Sequence, residues 1–208
     1  FLIMELNQKT LKKAYNYLSK DKCMQYLILK FSNQIDISER YNENLPYALS
    51  CLVIEQQVSF KAAITIKKRF FKKINHLSSN EILEMGLSEL KSIGISYKKA
   101  EYIKNVYKYF KISNFDFNSA SNEEVISELT RIKGIGLWSA EMFLIFILFR
   151  IDIFSKGDLA LINSIKINYK IDINNHSNLD SIISSWSPYK TVASLLLWKS
   201  IEENYFYS

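Results

Sequence analysis

Apolar residues recur along this chain at the spacing of an α-helix. The pattern is present at Val125, Ile126, Leu129 and Ile132, and again at Leu179, Ile182, Ile183 and Trp186. This spacing places the apolar side chains on one face of a helix, which can then pack against a core. The chain shows no convincing succession of alternating runs joined by hairpin turns, which a sheet would require. The sequence therefore predicts an all-α fold.

Length and composition set limits on the fold and on its partners. A chain of 208 residues with 48% hydrophobic residues can bury a substantial core, as one large domain or as two lobes. The net charge of +6 favours an anionic partner. Since lysine-rich solvated faces are common, charge alone does not establish nucleic-acid binding.

Cysteine usage excludes two classes of protein. Cys23 and Cys51 are the only cysteines, so the chain can form neither a disulfide framework nor a four-thiolate iron-sulfur cluster. This usage favours a reducing, intracellular compartment. The longest apolar run, 142–149, is also shorter than the roughly 20 residues that cross a bilayer. We therefore expect no membrane partner.

Two further segments predict where helices begin and end. The stretch from Pro46 to Ile74 reads as two helices with a polar interruption at 55–57. In "SPYKTVASLLLWKSI", Ser187 is the expected N-cap and Pro188 the expected first residue of a C-terminal helix.

The segment "RIKGIGLWSAEMF", 131–143, holds two of the chain's five glycines. The pattern around it is helix, short turn, helix. Gly134 and Gly136 leave the turn without side chains, so that the amides at the start of the next helix are exposed. Such amides suit a phosphate, and Arg131 and Lys133 lie beside them. Taken alone, a G-x-G segment favours a C-cap glycine followed by an ordinary connector.

Four segments in order resemble the helix-hairpin-helix DNA glycosylase superfamily. They are "IEQQVSFKAAITIKKRF", "ELKSIGISYKKAEYI", "LTRIKGIGLWSAEMF" and "DIFSKGDLAL". The resemblance runs from about Pro46 to Trp198, and within the superfamily the chain is most similar to 3-methyladenine DNA glycosylase II. It implies a base-excision repair enzyme that flips an alkylated base out of duplex DNA and hydrolyses its glycosidic bond. It implies no required cofactor.

The resemblance assigns the catalytic role to Asp158, which lies 24 residues after Gly134. Its carboxylate would stabilise the positive charge that develops on the sugar during bond cleavage. The residue also fits an N-cap for the helix "LALINSI", and the two roles can coexist. The proline that the family carries before this aspartate is absent, because Ser155 and Lys156 stand there.

The resemblance also implies an aromatic base pocket. Trp138 occupies the hairpin position where relatives that cut the DNA backbone carry a lysine nucleophile, so a monofunctional enzyme that leaves an abasic site is expected. Trp138 and Trp198 would stack on the alkylated base, which is a flat cation. Met142 would form the floor of this pocket, at a position where relatives have tyrosine. Either tryptophan could instead belong to the core.

Contacts to DNA follow from the same resemblance. Gln57 would wedge into the gap left by the flipped nucleotide, and Gln56 would contact the opposite strand. The hairpin would bind phosphate through Lys133, Gly134, Ile135, Gly136 and Ser139. The backbone carbonyls of Thr130, Ile132 and Ile135 would hold a monovalent cation, Na⁺ or K⁺.

The expected architecture has two helical lobes with the active site in the cleft between them. Residues 46–150 would form the lobe that carries the hairpin, and residues 1–45 together with 151–208 the other. We expect a monomer that acts on damaged double-stranded DNA in a prokaryotic cytoplasm or a nucleus. Two alternatives remain open at this point. One is a non-catalytic helix-hairpin-helix DNA-binding module, and the other is a glycosylase for another base such as uracil or hypoxanthine.

Overall fold

A computed structural model describes residues 5–38, 40–172 and 176–207, and the regular secondary structure of these residues is helical. The helices are α1 (Gln8–Leu18), α2 (Lys22–Phe31), α3 (Leu45–Glu55), α4 (Phe60–Ile74), α5 (Ser79–Glu84), α6 (Leu87–Ser92), α7 (Tyr97–Ile112), α8 (Asn122–Thr130), α9 (Leu137–Phe146), α10 (Leu159–Tyr169), α11 (His176–Ser185) and α12 (Lys190–Glu202).

The all-α prediction is confirmed. Within the described ranges the β-pairing is a single isolated antiparallel bridge between Glu5 and Arg150. The predicted interruption at 55–57 is also confirmed, since α3 ends at Glu55 and α4 begins at Phe60. No helix in this part of the chain has the length and apolar character needed to cross a bilayer.

The predicted start of the C-terminal helix is wrong by two residues. Helix α12 begins at Lys190, after Tyr189 as N-cap. Asp152 takes the place that the sequence suggested for Ser187. One of its carboxylate oxygens accepts the backbone N–H of Lys190 at 3.2 Å, and the other accepts the Ser187 hydroxyl at 2.8 Å. An acceptor distant in sequence therefore caps the helix, and local capping signals do not reveal such an acceptor.

The chain forms two compact units, of which one combines Phe1–Arg40 with Leu144–Ser208. Its core is built around α12, which packs against α10, α2 and α1. Phe31 and Trp186 are among its fully buried side chains, with at most 1% of their surface exposed. This unit therefore holds α10, the helix that Asp158 precedes, on a rigid core.

The other unit is Tyr41–Phe143, so the boundary falls inside α9. Its central helix is α7, which packs against α3, α5 and α6. Helix α4 joins through its contact with α3, where the rings of Tyr47 and Phe70 stack at 5.8 Å. This unit contains the glycine hairpin between α8 and α9.

Candidate functional site

Gly134 fills a position in the hairpin that only glycine fits. Its φ of +107° is one that residues with a side chain rarely adopt. A Cβ atom at this position would lie 2.1 Å from Cγ of Tyr102. Both the backbone conformation and the packing of α7 therefore require glycine, and this requirement is internal to the protein.

No backbone conformation or packing contact within the protein requires glycine at position 136. Its φ is not positive, and a Cβ atom there would meet no atom within 4 Å. The residue is exposed, and its carbonyl accepts the N–H of Ala140 at 3.1 Å, so α9 starts here. The structure thus leaves open space at a helix N-terminus, whose N–H groups and dipole attract anions.

Gln56 ties the end of α3 to the hairpin. Its side-chain nitrogen donates to the carbonyl of Gly134 at 3.0 Å and to the hydroxyl of Ser139 at 2.9 Å. Both amide hydrogens are therefore used within the protein. Ser139 is only 1% exposed, so its hydroxyl faces the interior and supports the hairpin. The expected contacts of Ser139 with phosphate and of Gln56 with the opposite strand stay predictions.

The remaining hairpin residues divide between surface and interior. The Lys133 side chain is exposed, while its carbonyl accepts an N–H of Asn105 at 3.1 Å. Ile132 and Ile135 are both 5% exposed, and the N–H of Ile135 donates to the Ile132 carbonyl at 2.9 Å. That carbonyl oxygen retains a second lone pair. Thr130 donates its hydroxyl to the Ile126 carbonyl at 2.7 Å.

Gln57 is held in an unusual conformation at the break between α3 and α4. Its φ is +54°, in the left-handed region that non-glycine residues seldom occupy. The residue is exposed. Backbone outliers of this kind persist only where the surrounding structure maintains them, and they cluster at active sites and ligand-binding sites. The conformation fits the wedge role that the sequence predicted.

Asp158 caps α10, as the sequence predicted. One carboxylate oxygen, Oδ1, accepts the backbone N–H of Leu161 at 3.0 Å and the indole N–H of Trp198 at 3.2 Å. The residue is partly exposed. Two donors from different helices thus fix the carboxylate in place while part of the residue faces solvent.

The loop before Asp158 forms a tight turn without the family's proline. The N–H of Asp158 donates to the carbonyl of Ser155 at 3.2 Å, which closes a four-residue turn. Ser155 is fully buried, and Lys156 pairs with Asp180 at 2.6 Å. These contacts hold the loop that precedes Asp158.

An aromatic pair lies beside this carboxylate. The rings of Trp198 and Phe146 are 5.5 Å apart and tilted by 31°. The guanidinium of Arg40 lies 3.9 Å from the centroid of the Phe146 ring, a cation-π distance. Neither Phe146 nor Arg40 was predicted from the sequence. Their separation from Trp198 along the chain explains why no local pattern indicated them.

Trp138 and Met142 belong to the unit that carries the hairpin. Trp138 is the second residue of α9 and is partly exposed. Met142 is 1% exposed, so in this structure it packs in the interior. Trp138 and Trp198 thus keep accessible surface, whereas Met142, the predicted floor of the base pocket, is buried.

Three residues of α7 that the sequence analysis left without individual roles support the hairpin or the preceding turn. Lys99 donates to the carbonyls of Ile54 and Gln56, Tyr102 packs over Gly134, and Asn105 binds the Lys133 carbonyl. Their spacing of three residues places them on one face of the helix. Lys99 and Tyr102 lie inside the segment "SYKKAEYI" and Asn105 lies two residues after it, so this spacing was the available signal.

The chain is similar to known repair proteins over most of its length. The sequence model of HhH-GPD superfamily base excision DNA repair proteins matches residues 51–188. DNA-3-methyladenine glycosylase 1 of Schizosaccharomyces pombe is 33% identical over 163 residues, which cover 71% of this chain and 68% of that protein. A relative from Bacillus subtilis is 28% identical over 162 residues, and this chain spans only 56% of its length.

Two solved structures have the same fold. A 3-methyladenine DNA glycosylase of S. pombe in complex with abasic DNA matches with a TM-score of 0.84 and 28% identity, covering 91% of this chain and 97% of that one. The DNA-3-methyladenine glycosidase of Bacillus halodurans matches with a TM-score of 0.71 and 29% identity, covering 97% and 94%. The resemblance found in the sequence is confirmed. This chain belongs to the HhH-GPD superfamily of base excision DNA repair proteins.

Proposed function

We propose that this protein is a monofunctional DNA glycosylase that releases alkylated bases, of the 3-methyladenine type, from duplex DNA. The observation that carries the proposal is the carboxylate of Asp158, fixed by the Leu161 amide and the Trp198 indole. Relatives named as 3-methyladenine glycosylases support the choice of substrate.

The reaction needs a fixed negative charge more than it needs a nucleophile. Cleaving the glycosidic bond builds positive charge on the sugar, in an oxocarbenium-like transition state. A carboxylate whose orientation is set before the reaction stabilises that charge without reorganisation. Asp158 then performs two functions, because one oxygen caps α10 while the charge of the whole group acts on the sugar.

Base selection in this proposal depends on aromatic faces. A base must leave the duplex stack before its glycosidic bond can be reached. An alkylated purine is a flat cation, which an indole face attracts both by stacking and by cation-π interaction. Trp138 and Trp198, both partly exposed, would supply these faces. Since indole has no amine, Trp138 cannot form a Schiff base with the sugar.

The DNA backbone would be bound by the hairpin. The open space at Gly136 admits a phosphate to the first N–H groups of α9, and the exposed Lys133 adds a positive charge. Exposed Gln57 would enter the duplex at the flipped nucleotide. The carbonyls of Thr130, Ile132 and Ile135 offer oxygen ligands of the type that Na⁺ or K⁺ accepts. Such a cation would bridge the hairpin to a phosphate.

The partner in this proposal is double-stranded DNA that contains a damaged base, and the protein binds it as a monomer. No required cofactor is proposed. Because the substrate is chromosomal DNA, the proposed location is a prokaryotic cytoplasm or a nucleus. Binding that depends on phosphate contacts should weaken as salt rises, since neutralised phosphates release counterions.

The test is direct release of bases from defined duplexes. The protein is incubated with methylated DNA, with uracil-containing DNA and with hypoxanthine-containing DNA, and the freed bases are separated by chromatography. Release of methylated purines alone supports the proposal. Release of uracil or hypoxanthine in their place assigns another substrate to the same fold. Duplex binding without release of any base favours a non-catalytic DNA-binding module.

A further inference from the structure

The C-terminal end of α3 is held by one ammonium group. Lys99 Nζ donates to the carbonyl of Ile54 at 2.8 Å and to the carbonyl of Gln56 at 2.5 Å. Carbonyls in the last turn of a helix lack partners within the helix and carry its negative dipole end, so a cation is well placed there. Partial burial lowers the pKa of Lys99, as is usual for an ammonium withdrawn from water.

These two contacts lie directly before Gln57. The chain leaves α3 at Glu55 and has turned into the left-handed conformation two residues later. An exposed glutamine gains nothing from its own side chain that would favour φ near +54°. The conformation therefore depends on contacts that fix the neighbouring peptide groups, and Lys99 binds the carbonyls on both sides of Glu55.

The same turn is linked to the hairpin. The side chain of Gln56 donates to Gly134 and Ser139, while Tyr102, one turn along α7 from Lys99, packs over Gly134. Helix α7 thus holds both the Gln57 turn and the hairpin from one face. Helix α7 therefore contacts both elements of this unit that would bind DNA, the Gln57 turn and the hairpin.

We propose that Lys99 is a positioning residue. It holds the Gln57 turn in the conformation that lets the Gln57 side chain enter the duplex. The inference rests on the proposed function, because the wedge role of Gln57 comes from it. Lys99 itself does not touch DNA in this account. Its effect passes through Gln57, and this separates a positioning role from a general contribution to stability.

The experiment measures base stacking in the DNA at a saturating concentration of the protein. A duplex carries 2-aminopurine beside a stable abasic-site analogue, and its fluorescence rises when a side chain enters the stack. Lys99→Met removes the charge and the donors but keeps the apolar stem. We expect it to lower the ratio of inserted to uninserted complex about tenfold, the change that corresponds to about 1.4 kcal/mol. Affinity for undamaged duplex should change much less.

Three variants control the measurement. Lys111→Met removes the same charge from an exposed position on α7, twelve residues further on or about 18 Å away, and should match wild type. Gln57→Ala should remove most of the signal and leave a small, measurable residual signal. In the Gln57→Ala background, adding Lys99→Met should cause no further loss. If Lys99→Met does not fold, Lys99→Gln, which keeps a donor but lacks the charge, replaces it in the same comparison.

The possible results separate this proposal from the proposed function. A wild-type signal that Lys99→Met reproduces in full overturns the role of Lys99 and leaves the glycosylase proposal standing. The same is true if Lys99→Met weakens the residual signal equally with and without Gln57. A wild type that neither perturbs the stack nor releases a base removes the proposed function, and the positioning role with it.

Discussion

Replacing each hairpin glycine by alanine should give two different defects, because the two residues are glycine for different reasons. At Gly134 an alanine would have to adopt φ +107°, and its Cβ would lie 2.1 Å from the Tyr102 ring. At Gly136 the added methyl group would meet no atom of the protein within 4 Å. Gly134→Ala should therefore lower the stability of the fold. Gly136→Ala should mainly weaken the binding of a ligand such as DNA.

The magnitude for Gly134→Ala follows from two terms. A non-glycine residue in a left-handed conformation costs roughly 1–2 kcal/mol, and overpacking a well-packed site costs about 1–3 kcal/mol. The sum is about 2–5 kcal/mol, which lowers Tm by about 4–20 °C in a chain of this size. Gly136→Ala should lower Tm by no more than about 4 °C, since α9 starts at this residue and alanine caps a helix less well than glycine by about 1 kcal/mol or less.

Thermal unfolding and duplex binding together form the assay. Gly136→Ala should bind every duplex about tenfold more weakly regardless of sequence, because the lost contact is with phosphate and not with base edges. Two results would refute this reasoning. One is a Gly134→Ala protein as stable as wild type. The other is a Gly136→Ala protein with normal stability and normal affinity, which would remove the hairpin as the phosphate site.

Two further predictions concern the chemistry. Borohydride treatment during the reaction should trap no protein–DNA adduct, because Trp138 offers no amine; a robust adduct would mean that another lysine attacks the sugar and that the monofunctional assignment is wrong. Trp198→Phe keeps an aromatic ring but removes the N–H that donates to Asp158. Its single-turnover rate at saturating protein should fall about 10- to 100-fold, the value of one hydrogen bond to a charged group, whereas an unchanged rate would leave the indole only a stacking role.

Local signals predicted much of the fold because they act over a few residues. The polar break after α3 and the cap at Asp158 each depend on one turn of helix, and both were read correctly from the sequence. Gly134 could also be singled out, because glycine is rare in this chain. Its clash with Tyr102, which explains the requirement in physical terms, depends on how α7 packs.

The contacts that organise the candidate site join distant parts of the chain. Lys99 binds a carbonyl 45 residues away, and Gln56 binds one 78 residues away. Sequence spacing carries no information on such pairs. For the same reason the sequence did not show that the side chain of Ser139 lies on the buried face of α9. Helical periodicity alone does not decide which polar residue on a mixed face points inward.

The role of Asp158 in catalysis is tested by the single-turnover release of methylated purine by wild type and by Asp158→Asn. Asparagine caps helices about as well as aspartate, so melting temperature and duplex affinity should be retained. Loss of the negative charge should slow base release on the order of 100-fold or more, because the carboxylate no longer stabilises the developing charge on the sugar. A folded Asp158→Asn protein that excises bases at close to the wild-type rate would contradict the account and leave Asp158 as a helix cap alone.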